Sequence, residues 1–433
     1  MKKNAIEEND AEKFNEYKRI RNHICNRVQY DKINYYKNSF YDKNVSSSDI
    51  WNQANAYLNT SKRSFNNSPS LIIQDQKSHT APQDIANAFN NTFIDKVCKI
   101  RDKVSNSPVI CPLERLKSFL GTKVDSVDEF VLKPINKMQL RNLLKRRKGN
   151  KSSGIDNIDG YSIKLAAPLM EDILLHLVNL SLRNSEYPKS WKLNKVLPHY
   201  KKGEKMLAEN WRPVTNIVFV SKLVEAAVYE QITEYFEVNS LWHSNHHGFR
   251  SNHSTTTAIS QIYDTWVSAA ESKKLTAALL LDLTAAFDVV DHEILLKKLK
   301  VYNFSESAVK WFKSYLNDRL QVVQVDSKLS KQLPIGDQGV PQGSLLGPIL
   351  FLIYYNDFPN SREEGMSVLY ADDDTDNVSD SDPEILQNKI QREADLSTTW
   401  VKDNKLVCSG PKTKLLVVGT RELRKSKLID PNV

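Results

Sequence analysis

Two apolar, strand-like runs in this chain end in carboxylates. "LTAALLLDLTAAFD" (275–288) closes its hydrophobic stretch at Asp282, with Asp288 six residues on, and "GMSVLYADDD" (365–374) closes its own at Asp372, Asp373 and Asp374. A carboxylate at the end of a buried strand loses hydration, and pairing or cation binding offsets that loss. The two runs lie far apart in sequence, yet such strands can be neighbours in one sheet. Three carboxylates would then converge on a small volume, their repulsion would raise a pKa, and a divalent cation would relieve it. Oxygen ligands without adjacent His or Cys favour Mg²⁺ or Mn²⁺. Two such ions roughly 3.5–4 Å apart can activate a hydroxyl and stabilise a leaving pyrophosphate, the chemistry of nucleotidyl transfer. The competing reading of "ADDD" by itself is a set of ordinary turn residues.

The remaining composition narrows the setting. With 433 residues, 40% of them hydrophobic, the chain can bury a large core and form two or three structural units. Sixty Lys and Arg against 52 Asp and Glu give a net charge of +8, a mild attraction to polyanions such as nucleic acid. Cys25, Cys98, Cys111 and Cys408 are scattered without C-x-x-C spacing, which indicates reduced thiols rather than a disulfide framework or zinc site. The histidine-rich "HSNHHGFRSNH" (243–253) likewise fits no standard zinc pattern. No apolar run approaches the roughly 18–20 residues of a spanning helix, and "MKKNAIEEND" lacks the apolar stretch of a signal peptide. The expectation is an intracellular protein, nuclear or cytoplasmic, not secreted and without a membrane partner.

Along the chain, residues 1–112 read as a helical extension. Tyr17, Ile20, Ile24 and Val28, and later Ile85, Phe89, Phe93 and Val97, recur at three- and four-residue spacings. The polar stretch 59–70 interrupts them. A second unit starts near 131, where Pro134 suits a first helical turn and the basic run 145–148 ends the helix. The adjacent loop "NKSSG" (150–154) suits phosphate contact, although such basic runs are commonly solvated. Residues 161–240 mix helices with short strands, and from 271 strands and helices alternate. No internal repeat is found. The fold class is α+β.

Seven ordered stretches carry a resemblance. "KSSGIDNIDGYSIK", "NWRPVTNIVFVSKLVE", "GFRSNHSTTTA", "LLLDLTAAFDVVDHEILLKKL", "GVPQGSLLGPILFLIYYNDF", "LYADD" and "WVKDNKLVCSGPKTKLLVVGT" resemble, in this order, the finger and palm motifs of reverse transcriptases from non-LTR (LINE-like, jockey/CR1-type) retrotransposons. The likeness runs from about 131 to 420. Viral RNA-dependent RNA polymerases have a related scheme but carry an aspartate at the position of Phe287 and Gly-Asp-Asp in place of "YADD". An intron-encoded maturase would need a splicing domain after the palm.

The resemblance implies a right-hand polymerase, its antiparallel palm sheet packed on helices. It assigns 1–112 to a helical N-terminal extension, 113–270 to linker and fingers, 271–420 to the palm and 421–433 to a truncated tail. Asp282 and Asp372 would ligate both metal ions, Asp373 would complete the catalytic cluster, and Leu283 would offer its carbonyl. Phe287 matches an aromatic gate against a ribose 2′-hydroxyl. Gln342 and Gly343 would contact the incoming nucleotide and its template base. Lys202, with Lys201 as an adjacent alternative, and Arg212 would hold the triphosphate, since ammonium and guanidinium groups suit phosphate oxygens. Lys412 would stand near the pyrophosphate, and Lys151, Arg250 and Ser254 would contact nucleic acid. The implied cofactor is Mg²⁺ or Mn²⁺; the partners are an RNA template, a DNA primer and dNTPs.

Three departures accompany the match. After "YADD" the family returns along an apolar strand, whereas here "DTDNVSDSD" adds Asp374 and Asp376 and weakens β propensity, an expected perturbation of the hairpin. His246 and Ser409 replace the Gln and Asn common at their positions. Few residues follow "PKTK", so a helical thumb and a preceding endonuclease are expected to be missing, as in a partial element product. The alternative function is a catalytically decayed, nucleic-acid-binding relic of such an element.

Overall fold

The computed structural model describes residues 11–40, 69, 71–74, 77–104, 110–147, 149 and 152–420. The chain divides into two compact units, residues 1–68 and 69–433. In the first, α1 (Ala11–Phe40) is a single helix of 30 residues. The predicted periodicity holds there, and Ile20, Ile24 and Val28 are exposed.

The second unit is built from three sheets, one of them a two-stranded hairpin, and ten α-helices among the described residues. Its strands in chain order are β1 (Ile72–Gln74), β2 (Lys77–His79), β3 (Leu193–Tyr200), β4 (Trp211–Asn216), β5 (Leu275–Leu281), β6 (Leu320–Val325), β7 (Lys328–Leu329), β8 (Leu333–Pro334), β9 (Met366–Tyr370), β10 (Asp373–Asp380) and β11 (Lys414–Val418). β1 and β2 form a small hairpin. A five-stranded sheet runs β4-β3-β6-β7 with β8 also on β6; only the β3–β6 pair is parallel. A four-stranded antiparallel sheet runs β11-β5-β10-β9. β5 reads as an almost continuous apolar run because it is central and covered on both faces along most of its length. Leu280 is the exception, 40% exposed one residue pair from the strand's end.

The helices are α2 (Pro82–Arg101), α3 (Pro112–Leu120), α4 (Lys137–Arg146), α5 (Gly160–Asn184), α6 (Phe219–Val238), α7 (Thr255–Glu271), α8 (His292–Val301), α9 (Glu306–Leu316), α10 (Leu346–Tyr355) and α11 (Pro383–Asp403). α2 follows the predicted stripe: Ile85, Phe89 and Phe93 are buried against Val196, Trp211 and Val323 of the five-stranded sheet. The expected 1–112 extension is therefore not one unit. Residues 1–68 separate from the rest, and α2 belongs with the sheet because its apolar face is buried there.

Pro134 also differs from expectation. α4 starts three residues later, where Asn136 accepts the Gln139 N–H and the Gln139 side chain accepts the Asn136 N–H, a reciprocal cap that specifies the start. α5 passes by length and composition for a membrane-crossing helix, contrary to the reading that no segment would. It packs Leu174, Val178 and Leu182 into the main core, pairs Glu171 with Arg141 at 2.6 Å, and leaves Leu165, Leu169 and Ile173 exposed.

That core centres on α10, whose "ILFLIYY" is buried on all sides; Phe351, Tyr355 and Phe358 stack in series and Trp400 stands edge-on to Phe358. A buried Lys298–Asp357 pair at 2.7 Å ties α8 to the residues after α10. Trp400 donates to the other Asp357 oxygen at 2.9 Å, so this carboxylate is hydrogen-bonded as burial requires.

Candidate active site

β5 and β10 are the strands that end in carboxylates, and they are neighbours. Leu281 pairs with Asp374 in antiparallel register, so the next residues, Asp282 and Asp373, oppose each other one step beyond the ladder. Directly opposed Cβ atoms lie roughly 4.5–5.5 Å apart. Alternation sends Leu281 and Asp374 to the buried face and Asp282 and Asp373 to the open one. Asp374 is 3% exposed, whereas Asp373 is exposed.

Asp372 occupies the β9–β10 turn. Tyr370 pairs with Asp373, leaving Ala371 and Asp372 as a two-residue loop with φ +60° at Ala371. A positive φ at the first loop position is usually left to glycine, so neighbouring structure must hold this turn. The segment 245–248 does so. His247 N–H donates to the Leu369 carbonyl at 2.8 Å and Leu369 N–H to the Asn245 carbonyl at 2.9 Å, covering the outer edge of β9. Gly248 then passes so close that a Cβ there would lie 2.2 Å from the Ala371 nitrogen. The hairpin is regular despite Asp374 and Asp376, against expectation. Both are buried, and Arg362 Nε donates to Asp376 Oδ1 at 2.8 Å.

Electrostatically the open face is short of cations. Burial, and then the charges of Asp373 and Asp282, raise the pKa of Asp372. Among the described residues Lys412 is the single ion-pair partner of the three carboxylates, its Nζ donating to Asp282 Oδ1 at 2.7 Å. Ser409 N–H donates to the Asp282 carbonyl and Thr284 N–H to the Val407 carbonyl, both at 2.8 Å. That bridge leaves the Leu283 carbonyl unused. Among the described residues no three His, Cys, Asp or Glu side chains enclose an ion unaided. Mg²⁺ sites commonly consist of one or two carboxylates completed by water and substrate phosphates, and surplus negative charge on an open face fits that donor set.

The other expected residues sort into two groups. Phe287 stacks at a tilt on Phe351, ring centroids 4.5 Å apart, and stands edge-on to Phe249 at 6.5 Å. Gln342 Nε2 donates to Asp288 Oδ1 at 2.6 Å. Gly343 sits at φ +95°, where a Cβ would meet the Thr215 carbonyl at 2.6 Å, so this loop lies directly on β4. Its following helix, α10, has no side-chain cap of its own; buried Glu225 accepts the Leu345 N–H at 2.7 Å instead. Arg212 lies exposed on β4 across from His199, and Lys202 is exposed just past β3. Burial, followed by the charges of Arg212, Lys412, Lys96 and Lys202, lowers the pKa of Lys201. These cations therefore share one region.

Arg250 and Ser254, the expected nucleic-acid contacts, both make local bonds that shape their loop. Arg250 Nη1 donates to the His243 and His246 carbonyls, both at 3.1 Å, and its side chain is only 10% exposed. Ser254 caps α7 by accepting the Thr257 N–H at 3.3 Å. Lys151 lies outside the described residues. His246 is fully buried beside Leu369, and burial, then Arg250, pushes its pKa down to about 3; it packs as a neutral ring.

Sequence reasoning missed Glu225 and Lys96, and noted Asp288 without giving it a role. Asp288 closes "LTAAFD" and burial pushes it up to about 6; its place in the motif was its one visible signal.

Opposed carboxylates at two strand ends, flanked by a cationic region and a glycine loop, form a donor set suited to a divalent ion and phosphate groups. The comparisons agree: the family described as "Reverse transcriptase (RNA-dependent DNA polymerase)" matches residues 200–426, over half of the chain. The chain belongs to the reverse transcriptase family. It is 31% identical over 252 residues to the "Probable RNA-directed DNA polymerase from transposon BS" of Drosophila melanogaster, covering 56% of this chain and 27% of that protein. It is 28% identical over 243 residues to the "RNA-directed DNA polymerase from mobile element jockey" of the same species, covering 54% and 26%. The chain thus spans about a quarter of the length of the curated relatives it matches. The resemblance drawn from the seven motifs is borne out.

Proposed function

We propose that this chain is the RNA-directed DNA polymerase of a non-LTR retrotransposon, extending a DNA primer on an RNA template with dNTPs. The observation that carries this reading is the register that opposes Asp282 and Asp373 beside Asp372. In this reading the four-stranded sheet with α10 and α11 is the palm, and the five-stranded sheet with its helices is the fingers.

Asp282, Asp372 and Asp373 would hold Mg²⁺ or Mn²⁺, with the Leu283 carbonyl as an additional ligand. Bound there, the ions would supply Lewis-acid activation of the primer 3′-hydroxyl and charge relief for the departing pyrophosphate. Lys202 and Arg212 orient the triphosphate by charge-assisted hydrogen bonds. Gln342, held by Asp288, and Gly343 line the base pair being formed. Phe287, backed by Phe351, excludes a 2′-hydroxyl by steric contact. Lys412, whose ammonium rests on Asp282, faces the leaving group as a proton donor.

Primer extension on poly(rA)/oligo(dT) with Mg²⁺ tests the reading, with Asp282→Asn and Asp372→Asn run in parallel. Robust extension by the native chain and none by the variants is expected. Equal signal from all three defeats it, and a native chain that binds the duplex without extending it is the decayed relic.

A further inference from the structure

One lysine breaks the pattern of α2. Phe89 and Phe93 are turned to the five-stranded sheet, Val97 and Ile100 continue the stripe into the main core, and Lys96 falls along it, seven residues after Phe89 and one turn before Ile100. An ammonium on an apolar stripe costs desolvation unless its head reaches water or a counter-charge. Lys96 reaches the former: it is exposed and has no ion-pair partner among the described residues.

Its surroundings show where it emerges. Lys96 lines a cavity together with Pro213 and Thr215 of β4, Asp288, Gly339 and Gln342. The cavity is thus bounded by the strand that carries Arg212, by the carboxylate that holds Gln342, and by the loop that contains Gly343. The positive charge of Lys96 bears on both Asp288 and Lys201. Lys201 in turn senses Arg212, Lys412 and Lys202. Five cations therefore bear on one region, and among the described residues Lys412 alone of them has a carboxylate partner.

α2 is also firmly seated. Phe89 packs edge-on against Trp211 with ring centroids 5.3 Å apart. Asn90 Nδ2 donates to the Lys331 carbonyl at 2.8 Å, and Gln321 Nε2 donates to Asn90 Oδ1 at 2.8 Å. At the far end Arg101 pairs with Asp291. A side chain on so constrained an element is pre-positioned for its ligand.

We propose that Lys96, on a helix preceding the matched family region, is a polyphosphate-contacting residue of the nucleotide site. The assignment rests on the polymerase reading above. A mobile, singly charged donor suits the outer phosphates of a triphosphate, which carry most of its charge and present oxygens in several directions. The phosphodiester backbone of the template offers the same chemistry, so the test separates the two sources.

The full chain is bound to an RNA template with a dideoxy-terminated DNA primer in Mg²⁺, and the next complementary dNTP is titrated while the ternary complex is followed by gel shift. Lys96→Ala is expected to raise the half-saturating dNTP concentration about tenfold, the loss of one charge-assisted contact. Lys96→Arg should recover most of it, and Lys99→Ala, one turn on and exposed, should match the native chain. Binary affinity for primer–template and its salt dependence should be the same in all four proteins. A Lys96→Ala titration identical to that of a responsive native chain overturns this inference alone. Weaker binary binding with a shallower salt slope and an unchanged titration assigns Lys96 to the template and overturns it too. A native chain that holds primer–template without any nucleotide-dependent shift overturns the polymerase reading together with it.

Discussion

β10 carries aspartates on both faces, and the two sets meet opposite surroundings. On the open face Asp373 joins Asp282 and Asp372, and Lys412 is the one cation paired with them. On the buried face Asp374 and Asp376 lie under the sheet with Arg362, whose side chain is 2% exposed. There Arg362 Nε and Ser397 Oγ donate to opposite oxygens of Asp376, at 2.8 and 2.9 Å. Asp374 is less well served: Arg362 stands 4.0 Å away, and neither of its oxygens has a hydrogen-bond partner. Burial, then the charge of Asp376, raises its pKa well above the usual carboxylate range, so the neutral form is favoured.

This contrast teaches how to recognise a functional carboxylate. The buried pair shows that the fold can neutralise acidic groups when it has to, with a guanidinium or by protonation. Three carboxylates left on an accessible face with one lysine are therefore not a packing necessity. Their repulsion is tolerated because solvent reaches them and because a divalent ion can enter.

The comparison can be broken at several points. The largest effect is expected at Arg362. Arg362→Ala removes the guanidinium paired with buried Asp376 and should cost about 3–5 kcal/mol, measured by urea unfolding; a loss below about 1 kcal/mol would mean the buried face needs no guanidinium. On the open face, Asp372→Asn should lower the primer-extension rate by at least about 10²–10³-fold while the melting temperature stays level or rises, since one repulsive charge is gone. A fall in melting temperature would make Asp372 structural.

Asp374→Leu should stabilise the fold by roughly 1–3 kcal/mol, because an unsatisfied buried carboxyl is exchanged for the apolar residue that the strand otherwise calls for. Destabilisation would show that Asp374 is an essential partner of Arg362. Asp288 gives the pH test. Its folded pKa, about 6, lies above the ordinary 3.8, so the folded state binds the extra proton in that window. Stability contributed by this group is full below about pH 4 and declines as pH rises to about 6. Asp288→Asn should flatten that slope in thermal melts at pH 4.5 and 7; an unchanged slope assigns it to other groups. The smallest effect is expected for Ser254→Ala, about 1 kcal/mol from the lost cap, with no change in the salt dependence of primer–template binding. A shallower salt slope would return Ser254 to the nucleic-acid surface.

Much of this was legible in the chain. The apolar run of β5 and the carboxylates that end both strands follow from local pattern, as does the Phe89–Phe93 stripe of α2. Asp282, Asp372, Phe287 and Gln342 could be singled out because their motif stretches carry them in a recognisable order. Arg250 and Ser254 were less legible for a different reason. An arginine and a serine in a polar loop look alike whether they face a phosphate or a backbone carbonyl, and the difference lies in which neighbours arrive. Lys96 was overlooked because, read alone, one lysine in a basic chain resembles any solvated charge.

The sequence by itself determined which segments are strands or helices and which residue types sit at their ends, because a period of two or 3.6 and the loss of hydration on burial act within a few residues. Tertiary structure alone decided that β10 pairs with β5 in the register opposing Asp282 to Asp373, that Arg362 lies beneath Asp374 and Asp376, and that Lys96 opens onto the Asp288–Gln342 wall. Those outcomes depend on contacts between segments up to hundreds of residues apart, where the free energy of the whole packed unit selects the partner of each side chain.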